Sequence, residues 1–284
     1  KVIKRDGSIV DFDPHKLLHW AEWAGVVGAD WFEIASNAYK KLPENPTTKE
    51  LQEAMIKACL DKEDTPHLMM AGRLLIGNLY KELFGGHEFI PSVKDMYKKM
   101  VAEGLWEDMS YSDDELDQIN TIVDHSVDLR SPHSVINQVS KKYAVSDVES
   151  GKVLETPQFM WIRMAMGLCK DEPKEVKIGL IKEYYELFLN YVNCPSPNMK
   201  NLGTPSKGYS SCCIFKSDDS AASLAAGDHI AYTMTCASAG IGGYLETRSK
   251  LDGVRKNTIR HSGKKPYFKQ IESAVHANKQ GSRG

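Results

Sequence analysis

The sequence contains no run of about 18 apolar residues, the least that crosses a bilayer as a helix, and no apolar leader opens it. Neither sign of charge dominates. The 36 Lys and Arg face 38 Asp and Glu, a formal net charge of −2, so no global field calls for nucleic acid or a membrane as partner. The six cysteines, Cys59, Cys169, Cys194, Cys212, Cys213 and Cys236, show no Cys-x-x-Cys spacing. That argues against zinc, and a chain of this length needs no disulfide framework. Buried thiols in a reducing cytoplasm fit the count. There is no internal repeat and no starting Met, and 42% hydrophobic with 26% charged residues excludes collagen, coiled coil and wholesale disorder.

What is present reads first as a hairpin over residues 1–12, turning at Asp6-Gly7, a pair suited to a turn with positive φ at both central positions. Asp13-Pro14 then opens a helix, with Asp as cap and Pro at the first helical position. Thr48 can cap a helix over 49–61, and apolar residues at helical spacing run through 66–84 until Gly85-Gly86 ends them. Further helices are expected over 92–103, 113–122, 157–170 and 175–193. Near Asn193 the character changes to a Pro- and Asn-rich loop, a strand at 209–215, a helix at 219–238 and a strand or tight loop at 239–243. About 190 helical residues are thus followed by the start of an α/β unit.

Four constellations carry chemistry. Lys4 and Arg5 leave a strand together near a helix start, with Lys16 and Lys81 on helices, which suits either a phosphate site or a solvated hairpin. Ser196, Ser210, Ser211, Cys212 and Cys213 could line a pocket, or the thiols could pack as hydrophobes. Asp218, Asp219 and Ser220 head a helix, where acids favour the dipole and can also accept from a ribose hydroxyl. Residues 251–284 hold eight Lys or Arg against two acids, which fits mobile loops that hold phosphate, whereas residues 103–128 hold nine acids and no Lys or Arg, which fits a solvated helical face.

These features occur in the order seen in the large, catalytic subunit of class I ribonucleotide reductase of the phage or bacterial type, which the chain resembles. Val2-Ile3-Lys4-Arg5-Asp6-Gly7-Ser8 looks like the start of an ATP-cone. The segment from Glu155-Thr156-Pro157 to Arg163 is similar to the lead into the family's barrel. Pro195-Ser196-Pro197, Gly203-Thr204-Pro205 and Ser210-Ser211-Cys212 are similar to its first barrel strand and the loop before it. Ala239-Gly240-Ile241-Gly242, and Asn278 with Gly281, Arg283 and Gly284, resemble the stretches that bear its specificity loops.

The resemblance implies an α+β fold passing into α/β. Residues 1–90 form an ATP-cone-like domain, 91–193 a helical domain, and 194–284 the first part of a ten-stranded α/β barrel, cut short. Val2, Lys4, Arg5, Lys16, Thr48 and Lys81 match positions that hold ATP or dATP in the cone. Gln52, Gly77 and Asn78 fall where better-known regulated members carry His, Phe and His, so control by dATP is expected to be weak or degenerate. Cys212 matches one of two reducing cysteines, and Ser196 and Ser211 match groups that hold the substrate diphosphate. Asp219, Ser220, Arg248 and Arg283 match or neighbour the allosteric specificity site.

The activity implied is reduction of ribonucleotides to deoxyribonucleotides by thiyl-radical chemistry, with a cysteine pair as reductant and ATP or dNTP effectors. No covalently bound cofactor or metal is expected on this chain. A radical-generating small subunit with its own metal is expected as partner, together with the C-terminal remainder of the large subunit, a second copy docked through 219–238, and thioredoxin or glutaredoxin. Most of the catalytic machinery is expected beyond Gly284, which leaves this chain inactive alone. The alternative is a non-catalytic nucleotide-binding regulator that retains the cone.

Overall fold

A computed structural model describes residues 1–278 except Val148, Pro195, Lys207, Ser210, Ser211 and Ser238, with the side chains of residues 196–198 also outside the description. Ser211 and Arg283 therefore lie outside the described residues, as does the side chain of Ser196. The chain divides into two compact units, one of Lys1–Cys194 with Gly203–Pro205, the other of Pro195–Leu202 with Ser206–Gly284.

The first unit opens with a two-stranded antiparallel hairpin, β1 (Val2–Ile3) and β2 (Ile9–Val10). Its turn differs from the expected form. Gly7 N–H donates to the Lys4 carbonyl at 3.0 Å and Lys4 N–H to the Ser8 carbonyl at 2.8 Å. Arg5 and Asp6 are therefore the central residues, and in this turn only Gly7 takes positive φ, at 81°. That is a turn with a following glycine bulge rather than a two-residue loop.

α1 (Pro14–Ala24) begins as read, with Asp13 accepting from His15 N–H. α2 (Trp31–Lys40), which the periodicity did not single out, is capped by Asp30. α3 (Thr48–Leu60) corrects the expected cap. Thr47 makes the capping box with Glu50, and Thr48 is the first helical residue. α4 (Thr65–Phe84) ends at left-handed Gly85, φ 80°. These four helices enclose a core that includes Leu17, Trp20, Ile34, Met55, Cys59, Met70 and Leu74.

The rest of the unit is helical: α5 (Val93–Ala102), α6 (Asp113–Asn120), a 3₁₀ turn (His125–Arg130), α7 (His133–Lys142), α8 (Pro157–Cys169) and α9 (Lys174–Leu189). α8 is buried along nearly its whole length, which includes Phe159, Trp161 and Arg163. Arg163 is wholly buried and answered by Glu155, which also accepts from Trp106 Nε1 at 3.0 Å and Val145 N–H at 2.9 Å. Much of the acidic run at 103–128 is spent locally. Asp113 and Asp117 pair with Lys98 and Lys94, Glu115 and Asp124 serve caps, and Asp128 is buried.

The second unit holds α10 (Ser196–Asn201), β3 (Cys212–Ser217), α11 (Ala221–Cys236), β4 (Gly240–Leu245), a small hairpin of β5 (Gly253–Val254) and β6 (Ile259–Arg260), and α12 (Lys265–His276). β3 and β4 pair in parallel, Cys212 opposite Gly240 and Ser217 opposite Leu245. The described strand runs Cys212–Ser217, and Ser210 and Ser211 of the expected strand lie outside the described residues. α11 crosses between the strands, and a Cβ at Gly227 would meet the Phe215 ring at 2.8 Å, so the glycine lets helix and strand close. The described sheets are each two-stranded, and among the described residues no barrel is formed. The basic region from 251, expected as loops, holds the β5–β6 hairpin and α12. No helix among the described residues is long and apolar enough to cross a membrane.

Candidate functional site

The described cavity lies in the first unit, where the N-terminal hairpin meets α1, α3 and the end of α4, and has a volume of about 190 Å³. Two helices face it through one stripe each. α1 and its cap contribute Asp13, Lys16, Leu17 and Trp20, and α3 contributes Thr48, Leu51, Gln52 and Met55. Both sets follow i, i+3, i+4, i+7, the spacing of one helical face. The hairpin adds Val2, Lys4 and Val10, the segment after it Asp11 and Phe12, and α4 adds Lys81. Because Thr47 takes the capping role, the Thr48 side chain is left to line the cavity.

The floor is apolar, and the charged lining is three lysines, Lys4, Lys16 and Lys81, with two aspartates, Asp11 and Asp13. Lys81 Nζ lies 3.3 Å from the centroid of a Trp20 ring. Burial, and secondarily the nearby Arg5 guanidinium, hold its pKa below the ordinary lysine value. Two buried polar atoms of the lining have no protein partner, Gln52 Oε1 and Trp20 Nε1. An acceptor and a donor left unanswered each cost about 1–3 kcal/mol, and both atoms are shielded from water here.

Of the six residues expected here, Val2, Lys4, Lys16, Thr48 and Lys81 line the cavity, and Arg5 does not. Arg5 turns instead to α4, where its Nη2 donates to Asn78 Oδ1 at 2.5 Å and lies 3.7 Å from Glu82 Oε1. Asn78 Nδ2 in turn donates to Glu82 Oε1 at 3.1 Å. Lys4 is the residue after β1, whereas Arg5 is the first central residue of the turn, which sends the two side chains apart.

Sequence reasoning missed an aromatic cluster beside the cavity. Trp20 and Trp23 stack at 4.5 Å with 12° between planes, and His87 packs on both. Their edges rest on α4 at Gly77, where a Cβ would stand 2.7 Å from Trp23 Cη2 and 3.0 Å from Trp20 Cη2. The glycine is thus required by the ring pair. The spacing of Trp20 and Trp23, three apart on one helix, was the available signal.

In the second unit the structure brings Asp219 and Arg248 together. Arg248 Nε donates to Asp219 Oδ2 at 2.5 Å and its Nη1 to the Gly253 carbonyl at 3.0 Å. The guanidinium holds the Asp219 carboxyl below the usual carboxylate range. Ser220 caps α11 by accepting from Ser223 N–H at 3.2 Å. Cys212 is exposed at the first position of β3.

Comparison with known proteins follows the same division. The family model for the ATP cone domain matches residues 1–82, and that for the all-alpha domain of ribonucleotide reductase matches residues 133–207. The ribonucleoside-diphosphate reductase subunit alpha of Buchnera aphidicola subsp. Acyrthosiphon pisum is 32% identical over an alignment of 294 positions. The corresponding subunit of Enterobacteria phage T4 is 29% identical, and subunit alpha of ribonucleoside-diphosphate reductase 1 of Escherichia coli 28%. Each alignment covers 99% of this chain and 38% of the relative. With a cone-matching region around the cavity, a match to the reductase all-alpha domain after it and relatives aligned along nearly all its length, the chain is similar throughout to the N-terminal part of ribonucleotide reductase large subunits and spans about 38% of their length.

Proposed function

We propose that this chain is the nucleotide-sensing N-terminal part of a ribonucleoside-diphosphate reductase large subunit, and that its cavity binds ATP or a deoxynucleoside triphosphate as effector. The observation that carries this is one cavity, within the region matched by the ATP cone family, that joins an apolar floor to Lys4, Lys16 and Lys81. A purine ring suits the apolar floor of Leu17, Trp20, Leu51 and Met55. Phosphates suit the lysines, whose charge would be compensated on binding.

The domain division at 1–90, 91–193 and 194–284 belongs to the same proposal. β3, α11 and β4 are a strand–helix–strand unit with parallel pairing, which supports reading them as the start of an α/β barrel. Here Cys212 would be one of the two reducing cysteines, with Ser196 and Ser211 toward the substrate diphosphate. Asp219, Ser220, Arg248 and Arg283 would serve the specificity site, and a second copy would dock along 219–238. Turnover would need the rest of the large subunit, a radical-generating small subunit with its metal, and thioredoxin or glutaredoxin, in the cytoplasm.

Titration calorimetry of the full chain with ATP and dATP tests the effector reading. Binding of ATP that weakens at least tenfold in Lys4→Ala and in Lys81→Ala supports it, and dATP is expected to bind no tighter than ATP. No binding of either nucleotide, or binding indifferent to both substitutions, contradicts it.

A further inference from the structure

The hairpin delivers two cations to the same corner of the molecule, and only one of them reaches the cavity. Asn78, Lys81 and Glu82 lie three and four residues apart on α4, so they share a face. Lys81 lies over Trp20, while Asn78 and Glu82 hold Arg5 beside it on that face. We propose that Asn78 and Glu82 are an internal competitor for phosphate: they keep the Arg5 guanidinium out of the cavity, and a polyphosphate ligand must draw it away from them to bind fully. This rests on the reading of the cavity as a nucleotide site.

Three features support the idea. First, Arg5 stands close to the cavity lining it does not join, since its charge is felt at Lys81. Second, the restraint is weak enough to release. The side chains of Arg5 and Glu82 are 40% and 33% exposed, they approach only to 3.7 Å, and such pairs in reach of water contribute little. The shorter tie is to a neutral amide, Asn78. Third, a phosphate chain offers a guanidinium two parallel charge-assisted hydrogen bonds, a stronger partner than one amide oxygen and a distant carboxylate. The advantage of the phosphate chain grows with the number of phosphates. The pocket would accordingly hold a triphosphate less tightly than its cation count implies.

Calorimetric titration of the full chain with ATP, ADP and AMP tests this, using wild type, Glu82→Gln, Asn78→Ala, Arg5→Ala and Arg5→Ala/Glu82→Gln. Glutamine keeps the shape of Glu82 and its acceptor for Asn78 while removing the charge. ATP is expected to bind Glu82→Gln about two- to fivefold tighter than wild type, the range of one exposed pair. Asn78→Ala should shift in the same direction, the gain should shrink from ATP to AMP, and it should vanish in the Arg5→Ala background. If wild type binds ATP and Glu82→Gln binds it equally or more weakly, the competitor is refuted. The same follows if the gain persists without Arg5, or is equal for ATP and AMP. If no protein binds any nucleotide, the nucleotide reading of the cavity fails and the competitor falls with it.

Discussion

The Lys81 ammonium stands 3.3 Å from the centroid of a Trp20 ring, half-buried and with its pKa held down by that burial and by Arg5. An anion placed beside it would favour the charged form and raise the pKa again. Nucleotide binding should therefore take up a fraction of a proton as the pH rises toward the lowered lysine value, and affinity should fall over that range. Calorimetry at alkaline pH in buffers of different ionisation enthalpy reads the uptake directly. Lys81→Met should abolish it.

Gln52 is expected to show opposite effects on binding and folding. Its buried Oε1 has no protein partner, so Gln52→Leu removes an unanswered acceptor without breaking a bond. The variant should be as stable as wild type or more stable, by up to about 1 kcal/mol, in urea unfolding. It should nonetheless bind ATP several-fold more weakly. A loss of both stability and binding would indicate that Gln52 only packs.

Gly77 should not tolerate a side chain while the Trp20–Trp23 pair lies on it. A Cβ there meets two ring edges at 2.7 and 3.0 Å, so Gly77→Ala should cost about 1–3 kcal/mol by overpacking. Trp23→Ala in the same protein should recover part of that loss. Chemical denaturation of the two single variants and the double variant closes the cycle.

How much of this was legible in the sequence depends on the range of the interaction. Asp13-Pro14 and Gly85 mark their helix ends through local bonds, and the structure agrees at both. Two adjacent threonines compete for the cap of α3, and Thr47 wins because Glu50, three residues later, completes a capping box with it. Asp30 with Glu33 carries a similar local signal for α2. Lys16, Thr48 and Lys81 could be assigned to one site by resemblance. The departure of Arg5 to Asn78, 73 residues away, depends on how the hairpin packs against α4 and leaves no local trace. The same holds for Arg248 meeting Asp219 across 29 residues.

Asp128 should make stability depend on pH. It is fully buried, accepting from Tyr80 Oη and Gln158 Nε2, each at 2.9 Å, and burial pushes its pKa up to about 7 against an ordinary value of 3.8. Between about pH 4 and about pH 7 the folded protein binds this proton more tightly than the unfolded chain does. The contribution of the group is therefore fully present below the lower value and is lost as pH rises through the upper one. Surface carboxylates with lowered pKa oppose this trend, so the readout is the difference between wild type and Asp128→Asn. That difference in unfolding free energy should move against wild type from pH 4 to pH 7 and then level off.

Glu155 anchors the second half of the first unit. Its carboxylate answers Arg163, Trp106 and the Val145 N–H with no exposure to water. Glu155→Ala leaves a buried guanidinium short of its counter-charge and should cost about 3–5 kcal/mol. Glu155→Ala combined with Arg163→Met should cost less than Glu155→Ala alone, as measured by guanidinium chloride unfolding.

The cavity between the hairpin, α1, α3 and α4 is the proposed place of the nucleotide. Photolabelling of the full chain with 8-azido-ATP, followed by peptide mapping, decides this. Label is expected on peptides within residues 1–82, carried by residues 2–20 or 48–55, with protection by unlabelled ATP. Protectable label confined to peptides beyond residue 82 would contradict it.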